Sequence, residues 1–349
     1  MRILIIKTSS MGDVIHTLPA ITDLAHAYPN AQIDWVVEEG FTTLSHIHPA
    51  VDKVIPIALR RWRRNLNMRT LREIKVFIAN LRQYKYDYVI DAQGLLKSAV
   101  LTRLVRLDKS SHAQSHGYDK YSIRGKYISW LYQRKYQISK QQHAVYRIKK
   151  LFSAIFNYTY STKVDYGIDA SKLVMDQSKT QQDPYLVFLH CTTWESKKWP
   201  VNYWQKLIQI VNHNGYKVRL SSGNQQELLQ SHEIANIPGT DVLVMEPQSI
   251  DSLIQVLAHS SGVVCVDTGL GHLAAALKKP GVGLYGATDA RLTSILAESF
   301  KNLQSQFECS PCLLRNCKFD NSQSSLAPCY IELNPELVWT SLEGLMVKG

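Results

Sequence analysis

Short apolar runs alternate with longer amphipathic ones along the chain. Residues 2–7, 33–37, 53–57 and 86–91 are Val/Ile-rich and almost continuously apolar, the pattern of parallel strands covered on both faces. Amphipathic stretches lie between them, including 70–82, which predicts a helix. Residues 118–163 are rich in Tyr, Lys, Arg and Gln, with helical spacing at 127–132 and 143–156. A polar stretch at 157–183 then interrupts the pattern and reads as a domain boundary.

The alternation restarts beyond it. Residues 185–190, 216–220, 241–245, 262–267 and 281–286 predict five more strands, with helices at 202–214, 225–235, 250–259 and 269–277. Lys278, Lys279 and Pro280 stop the last of these, placing cations at the negative helix end. A final helix starts with Asn334 as N-cap and Pro335 at its first position. The fold class is therefore α/β, with two Rossmann-like domains at 1–165 and 180–334. Open parallel sheets bind ligands at the carboxyl ends of their strands, so functional residues are expected just after the strands, facing a cleft between the two domains.

Length agrees, because 349 residues exceed what a single core usually organises. Composition is globular, with 45% hydrophobic and 20% charged residues. No apolar run approaches the roughly 18 residues of a membrane span, and the first residues lack a secretory pattern, so a cytoplasmic protein is expected. The net charge of +11 favours an anionic partner such as a phosphorylated small molecule, an acidic membrane or nucleic acid.

Six strand ends carry candidate chemistry. After the first strand comes Lys7-Thr8-Ser9-Ser10-Met11-Gly12-Asp13. Small residues let the backbone turn tightly there, and Asp13 is either a helix-capping carboxylate or a general base. The spacing of a P-loop is absent. Thr192-Thr193 and Lys197 follow the first strand of the second half, where an ammonium group can neutralise a departing phosphate. Ser221-Ser222-Gly223-Asn224 leads to Glu227, a ribose-binding carboxylate or a first-turn helix residue. Asp267-Thr268-Gly269-Leu270-Gly271-His272 opens a helix whose free N–H groups suit a diphosphate, or forms a capping turn. Arg60, Arg61, Arg63 and Arg64 surround Trp62 after the third strand, and guanidinium groups match phosphate geometry. Asp91-Ala92-Gln93-Gly94 and Lys97 end a strand of the same half.

Two further patterns carry less. Gly281-x-Gly283-x-x-Gly286 fits a dinucleotide fingerprint, but its glycines fall inside a predicted strand rather than opening a helix, so a nicotinamide cofactor is not expected. Cys191 and Cys265 read as buried strand residues. Cys309, Cys312, Cys317 and Cys329 begin with a metal-like spacing that turns irregular, leaving a structural zinc, pairing or reduced thiols open.

The segments 7–23, 34–41, 54–64, 91–99, 140–145 and 266–277 together resemble the bacterial lipopolysaccharide heptosyltransferases, the type I enzymes most of all. The resemblance spans most of the chain in one order. It implies the GT-B fold, with the C-terminal helix 335–349 crossing back to the first domain. It also implies inverting transfer of L-glycero-D-manno-heptose from ADP-heptose to Kdo of Kdo-lipid A, without metal or cofactor. By that resemblance Asp13 is the base and Lys197 its catalytic counterpart at the donor. The donor is held by Thr192, Thr193, Lys197, Glu227, Asp267, Thr268, Gly269 and His272. The acceptor is held by Ser10, Gly12, Arg60, Arg61, Arg63, Arg64, Gln93 and Lys97. A monomer peripheral to the cytoplasmic face of the inner membrane is expected, with no nucleic-acid partner. The alternative is a relative using another nucleotide sugar or acceptor. Trp194-Glu195-Ser196 before the lysine and the cysteine cluster depart from the family pattern.

Overall fold

The computed structural model describes residues 1–110, 113–173, 183–319 and 327–347, without the side chains of residues 171 and 172. Residues 174–182 of the expected boundary lie outside it. The chain divides into two units, Met1–Ile168 and Asp169–Gly349.

The first unit is built on β1 (Arg2–Ile6), β2 (Gln32–Glu38), β3 (Lys53–Ile57), β4 (Tyr88–Asp91), β5 (Gln114–Tyr118) and β6 (Arg134–Tyr136). They form one parallel sheet in the order β3-β2-β1-β4-β5-β6. The second unit contains β7 (Tyr185–Leu189), β8 (Lys217–Leu220), β9 (Val242–Val244), β10 (Gly262–Val266), β11 (Gly281–Tyr285) and β12 (Phe300–Gln304). Their order, β12-β11-β10-β7-β8-β9, repeats the same winding. The strand order reverses once in each sheet, between β1 and β4 in the first and between β7 and β10 in the second. Open α/β sheets bind ligands at that switch point.

The central strands are apolar on both faces because helices cover both. Leu4 and Ile6 point to a layer containing Trp62, Phe77, Leu81 and Leu101. In the second unit Leu186, Phe188, Val264 and Val266 pack with Trp199 and Trp204. Three strands escape the apolar signal. β5 reads Gln-Ser-His-Gly-Tyr, and Ser115 N–H donates to the Gln133 side chain at 2.8 Å. β6 and β12 lie at sheet edges, where short strands and charged side chains guard the unpaired backbone edge. The stretch 127–132 is a 3-10 helix, Lys126–Leu131. Tyr118 and Tyr132 are core residues at 4% and 3% exposure.

The C-terminal helix Pro335–Met346 packs on the helix Val201–His213 and on β10, β11 and β12. The cause is its apolar face, because Val338, Trp339 and Leu342 complete the second core.

Candidate active site

At the first switch point β1 runs into a loop and the short helix Met11–Ile15. Asp13 stands at its third position. Its Oδ2 accepts the Ser10 N–H at 2.9 Å and the Ser10 hydroxyl at 3.0 Å. Its Oδ1 lies 3.1 Å from Nζ of Lys7. Lys7 is buried and also donates to the Ala92 carbonyl at 3.2 Å, which ties the ends of β1 and β4 together. Burial raises the Asp13 pKa, but the Lys7 charge and the Ser10 hydrogen bonds outweigh it, and the net shift is downward. Asp13 therefore shares in capping the helix turn and is also an ionised carboxylate whose side chain is 40% exposed.

The loop is held from β4. Gln93 Oε1 accepts the N–H groups of Thr8 and Ser9 at 2.9 and 3.1 Å. This puts Gln93 in the frame of the site, with its carbonyl committed to the loop. Asp91, fully buried, receives the N–H groups of Gln93 and Gly94 and the Tyr132 hydroxyl at 2.6 Å. Gly94 sits at φ +70°, where a side chain is strained. Lys97 donates to Ser9 Oγ at 3.0 Å. Its pKa is lowered, first by burial and then by the charges of Arg60 and Arg63, with Glu38 and Asp13 opposing. These five charged groups therefore share one electrostatic neighbourhood.

The arginine run is not a loop but the helix Leu59–Arg64, and the helix splits it. Trp62 is core, donating its indole N–H to Glu73 at 2.9 Å. Arg61 is spent on Glu39 at 3.0 Å and Glu73 at 2.6 Å, so it offers no free fork to a phosphate. Arg60 lies over the Phe41 ring and its N–H donates to Glu38 Oε1 at 2.8 Å. Arg63 and Arg64 are exposed. Two participants escaped sequence reasoning. Lys7 belongs to the motif, but only the fold shows that its ammonium turns inward onto Asp13. Glu38, the last residue of β2, is 3% exposed with a buried Oε2 that has no hydrogen-bond partner.

At the second switch point the ends of β7 and β10 meet. Lys197, on the 3-10 turn Glu195–Lys197, places Nζ 2.7 Å from Asp267 Oδ2 and 4.6 Å from the Trp194 ring centre. Tyr330 OH donates to the Lys197 carbonyl at 2.8 Å, and Ser196 N–H to the Arg315 carbonyl at 3.0 Å. The turn is thus fixed by the segment that carries the cysteines. Thr268, not Asp267, is the N-cap of the helix Gly269–Ala276, and its side chain makes no cap hydrogen bond. Asp267 holds Lys197 instead. Thr192 Oγ1 is 3.5 Å from the Asp267 carbonyl, Thr193 is exposed and His272 is buried. Asn224 caps the helix Gln225–Ala235 by accepting the Glu227 N–H at 3.0 Å, while Glu227 Oε2 accepts the Gly223 N–H at 2.8 Å. Glu227 is therefore a first-turn capping partner at the end of β8.

Gly271 lets this helix start sit close to β10. A Cβ there would lie 2.6 Å from Cys265 Sγ and 2.7 Å from Ile295 Cδ1. Gly271→Ala is expected to destabilise the unit by about 1–3 kcal/mol through overpacking. Urea unfolding measures this, and an unchanged midpoint would show that the helix can slide.

The remaining sequence patterns resolve simply. Gly281 and Gly283 lie inside β11 as expected. Cys265 is buried in β10, whereas Cys191 falls beyond the end of β7 and is half-buried. All six cysteines are free, and no group of three or more His, Cys, Asp or Glu among the described residues is arranged to hold a metal.

Comparison with known proteins decides the family. The sequence model of glycosyltransferase family 9, the heptosyltransferases, matches residues 74–323. The chain belongs to this family. It is 43% identical to lipopolysaccharide heptosyltransferase 1 of Pseudomonas aeruginosa, over 99% of this chain and 98% of that one. It is also 43% identical to its Escherichia coli namesake, over 84% of this chain and 90% of the other. A solved structure of E. coli heptosyltransferase WaaC with ADP superposes with a TM-score of 0.83 at 37% identity, covering 99% of this chain and 100% of that one. A second, with ADP-2-deoxy-2-fluoro heptose, gives 0.75 at 40% identity over 87% and 93%. This heptosyltransferase is thus a two-domain α/β glycosyltransferase of lipopolysaccharide synthesis, with the GT-B-like fold of its relatives.

Proposed function

We propose that this heptosyltransferase moves L-glycero-D-manno-heptose from ADP-heptose to Kdo of Kdo-lipid A, with inversion at the anomeric carbon. The observation that carries the reading is the pair of opposite electrostatic centres at the two switch points. An ionised carboxylate, Asp13, stands at the first, and an ammonium, Lys197, stands beside an uncapped helix start at the second. The relatives solved with ADP and with an ADP-heptose analogue support a nucleotide-sugar donor.

In this reading the second unit holds the donor. Lys197 and the N–H groups at Thr268-Gly269 take the diphosphate, while Thr192, Thr193, Asp267 and His272 shape the surrounding site and Glu227 takes the ribose. The first unit holds the acceptor, with Lys97, Arg60, Arg63 and Arg64 toward its anionic groups and Ser10 and Gly12 at the reacting hydroxyl. Asp13 removes the hydroxyl proton as the oxygen attacks the anomeric carbon. The bond to ADP breaks on the opposite face, and its electron pair stays on the diphosphate. Fixed donors stabilise that charge, which is the work a divalent ion does elsewhere. The enzyme acts as a peripheral protein at the cytoplasmic face of the inner membrane, where its lipid-borne acceptor resides. No helix among the described residues is long and apolar enough to cross a membrane.

The test is to mix the protein with Kdo-lipid A and ADP-heptose in EDTA, following ADP release and acceptor mass. A gain of one heptose is expected. Turnover only with another donor or acceptor would overturn the substrate assignment, and turnover only with added metal would overturn the charge-stabilising role given to Lys197 and the helix start.

A further inference from the structure

Large apolar side chains are exposed on one helical layer of the first unit. The helices Met68–Leu81 and Leu96–Leu104 cover the same face of the sheet, since Phe77, Leu81 and Leu101 enter one core. Their outer surfaces are not polar. Met68 is 70% exposed and Val76 is 60% exposed, and Leu96 and Val100 lie open on the second helix. The 3-10 helix Lys126–Leu131 packs beside Leu96–Leu104 and presents Tyr127 at 78% and Trp130 at 71% exposure, edge to face at 5.5 Å. By contrast, the helices Leu18–Ala27 and Ala144–Phe156, which pack on each other, expose no large apolar side chain. An apolar surface confined to one layer marks an interaction site rather than chance exposure.

Charge identifies the partner. Residues 60–82 contain eight Lys and Arg against a single acid, Glu73, and that acid is occupied by Arg61, Arg69 and Trp62. Arg72 and Lys75 stand between Met68 and Val76 on the exposed surface, and the exposed Arg124 and Lys126 immediately precede the aromatic pair. Apolar side chains interleaved with cations, with Trp and Tyr among them, match the boundary between lipid headgroups and acyl chains. The layer also adjoins the acceptor edge, because Leu96 precedes Lys97, which is bonded to Ser9.

We propose that this layer is a docking face for an anionic lipid bilayer. It rests on the acceptor reading only for its purpose, which is to bring the Lys97 edge to a lipid-borne substrate. The cations settle on the headgroups while Met68, Val76, Tyr127 and Trp130 enter the interface. Net positive charge alone would give weak attraction anywhere on the surface. The apolar positions make it specific to this face.

The test uses the full chain and acceptor-free vesicles, either phosphatidylglycerol with phosphatidylethanolamine or phosphatidylcholine alone, read by co-sedimentation. Partition onto the anionic vesicles is expected, and little onto the neutral ones. Two double variants, Tyr127→Ser with Trp130→Ser and Met68→Ser with Val76→Ser, should each lower that partition at least fivefold. Their unfolding midpoints and their turnover of a deacylated, water-soluble acceptor should stay as in the parent. Absent partition of the parent, or equal partition of both variants, overturns the proposal. So does a polyanion response, in which duplex DNA competes for the protein and the variants bind it less. Failure of the parent to turn over the soluble acceptor bears instead on the substrate reading, because vesicle binding is measured without it.

Discussion

Asp13→Asn should lower turnover by roughly a hundred- to ten-thousand-fold, the range that general base catalysis supplies, while ADP binding stays within a few-fold. The amide keeps the shape and can still accept one hydrogen bond from Ser10 or Lys7, so the loop geometry is retained. What it loses is the ability to take a proton. ADP affinity by calorimetry separates this from misfolding, since the nucleotide is assigned to the other unit. Activity within a few-fold of the parent would reduce Asp13 to its capping contact with Ser10.

The same carboxylate sets a pH dependence. Its pKa is lowered because the Lys7 charge and Ser10 bonds overcome the opposing effect of burial. The base form is present above that pKa, so kcat/KM should hold on its plateau below the pH at which an ordinary carboxylate would protonate. Removing the counter-charge with Lys7→Met leaves burial opposed only by the Ser10 hydrogen bonds. The pKa then rises and the acid limb moves to higher pH. A limb that stays in place would mean that Lys7 serves only to tie β1 to β4.

Much of this site was legible because doubly wound sheets put chemistry at strand ends. The segments at 7–13, 91–97, 192–197 and 267–272 all fall at the two switch points, and apolar runs located the central strands to within two residues. The misses share a cause. β5 carries no apolar signal, because Gln114 and Ser115 bond to Arg134 and Gln133 from a later segment that sequence does not bring beside it. The arginine run read as one phosphate claw because sequence cannot show that Glu39 and Glu73 return from other elements to take Arg61. Lys7 and Glu38 stand at strand ends, and sequence cannot show that Lys7 turns onto Asp13 or that Glu38 receives the Arg60 backbone N–H.

The two switch points also differ in how they treat charge. In the first unit a buried cation serves an accessible carboxylate. In the second an acidic partner serves a partly accessible cation, since Lys197 and Asp267 side chains are 16% and 11% exposed. Each of the two candidate groups is thereby oriented by an opposite charge before any ligand arrives, which is what preorganisation requires.

Lys197→Ala tests the second half of that arrangement. Turnover should fall by at least roughly tenfold and as much as about a thousandfold, the cost of removing one donor to developing anionic charge. The loss should appear more in kcat than in the KM for the donor, because the diphosphate carries more charge after the bond breaks than before. Asp267 is left without its counter-charge, so part of the loss reflects repulsion of the diphosphate by that carboxylate. The double variant Lys197→Ala with Asp267→Asn should accordingly recover some nucleotide affinity without recovering rate. Adding a small alkylammonium ion to Lys197→Ala should restore part of the turnover, since it can occupy the space of the missing side chain between Trp194 and Asp267. Kinetics unchanged from the parent would leave Lys197 as a stabilising partner of Asp267 and move the search for leaving-group stabilisation to the helix start at Thr268-Gly269.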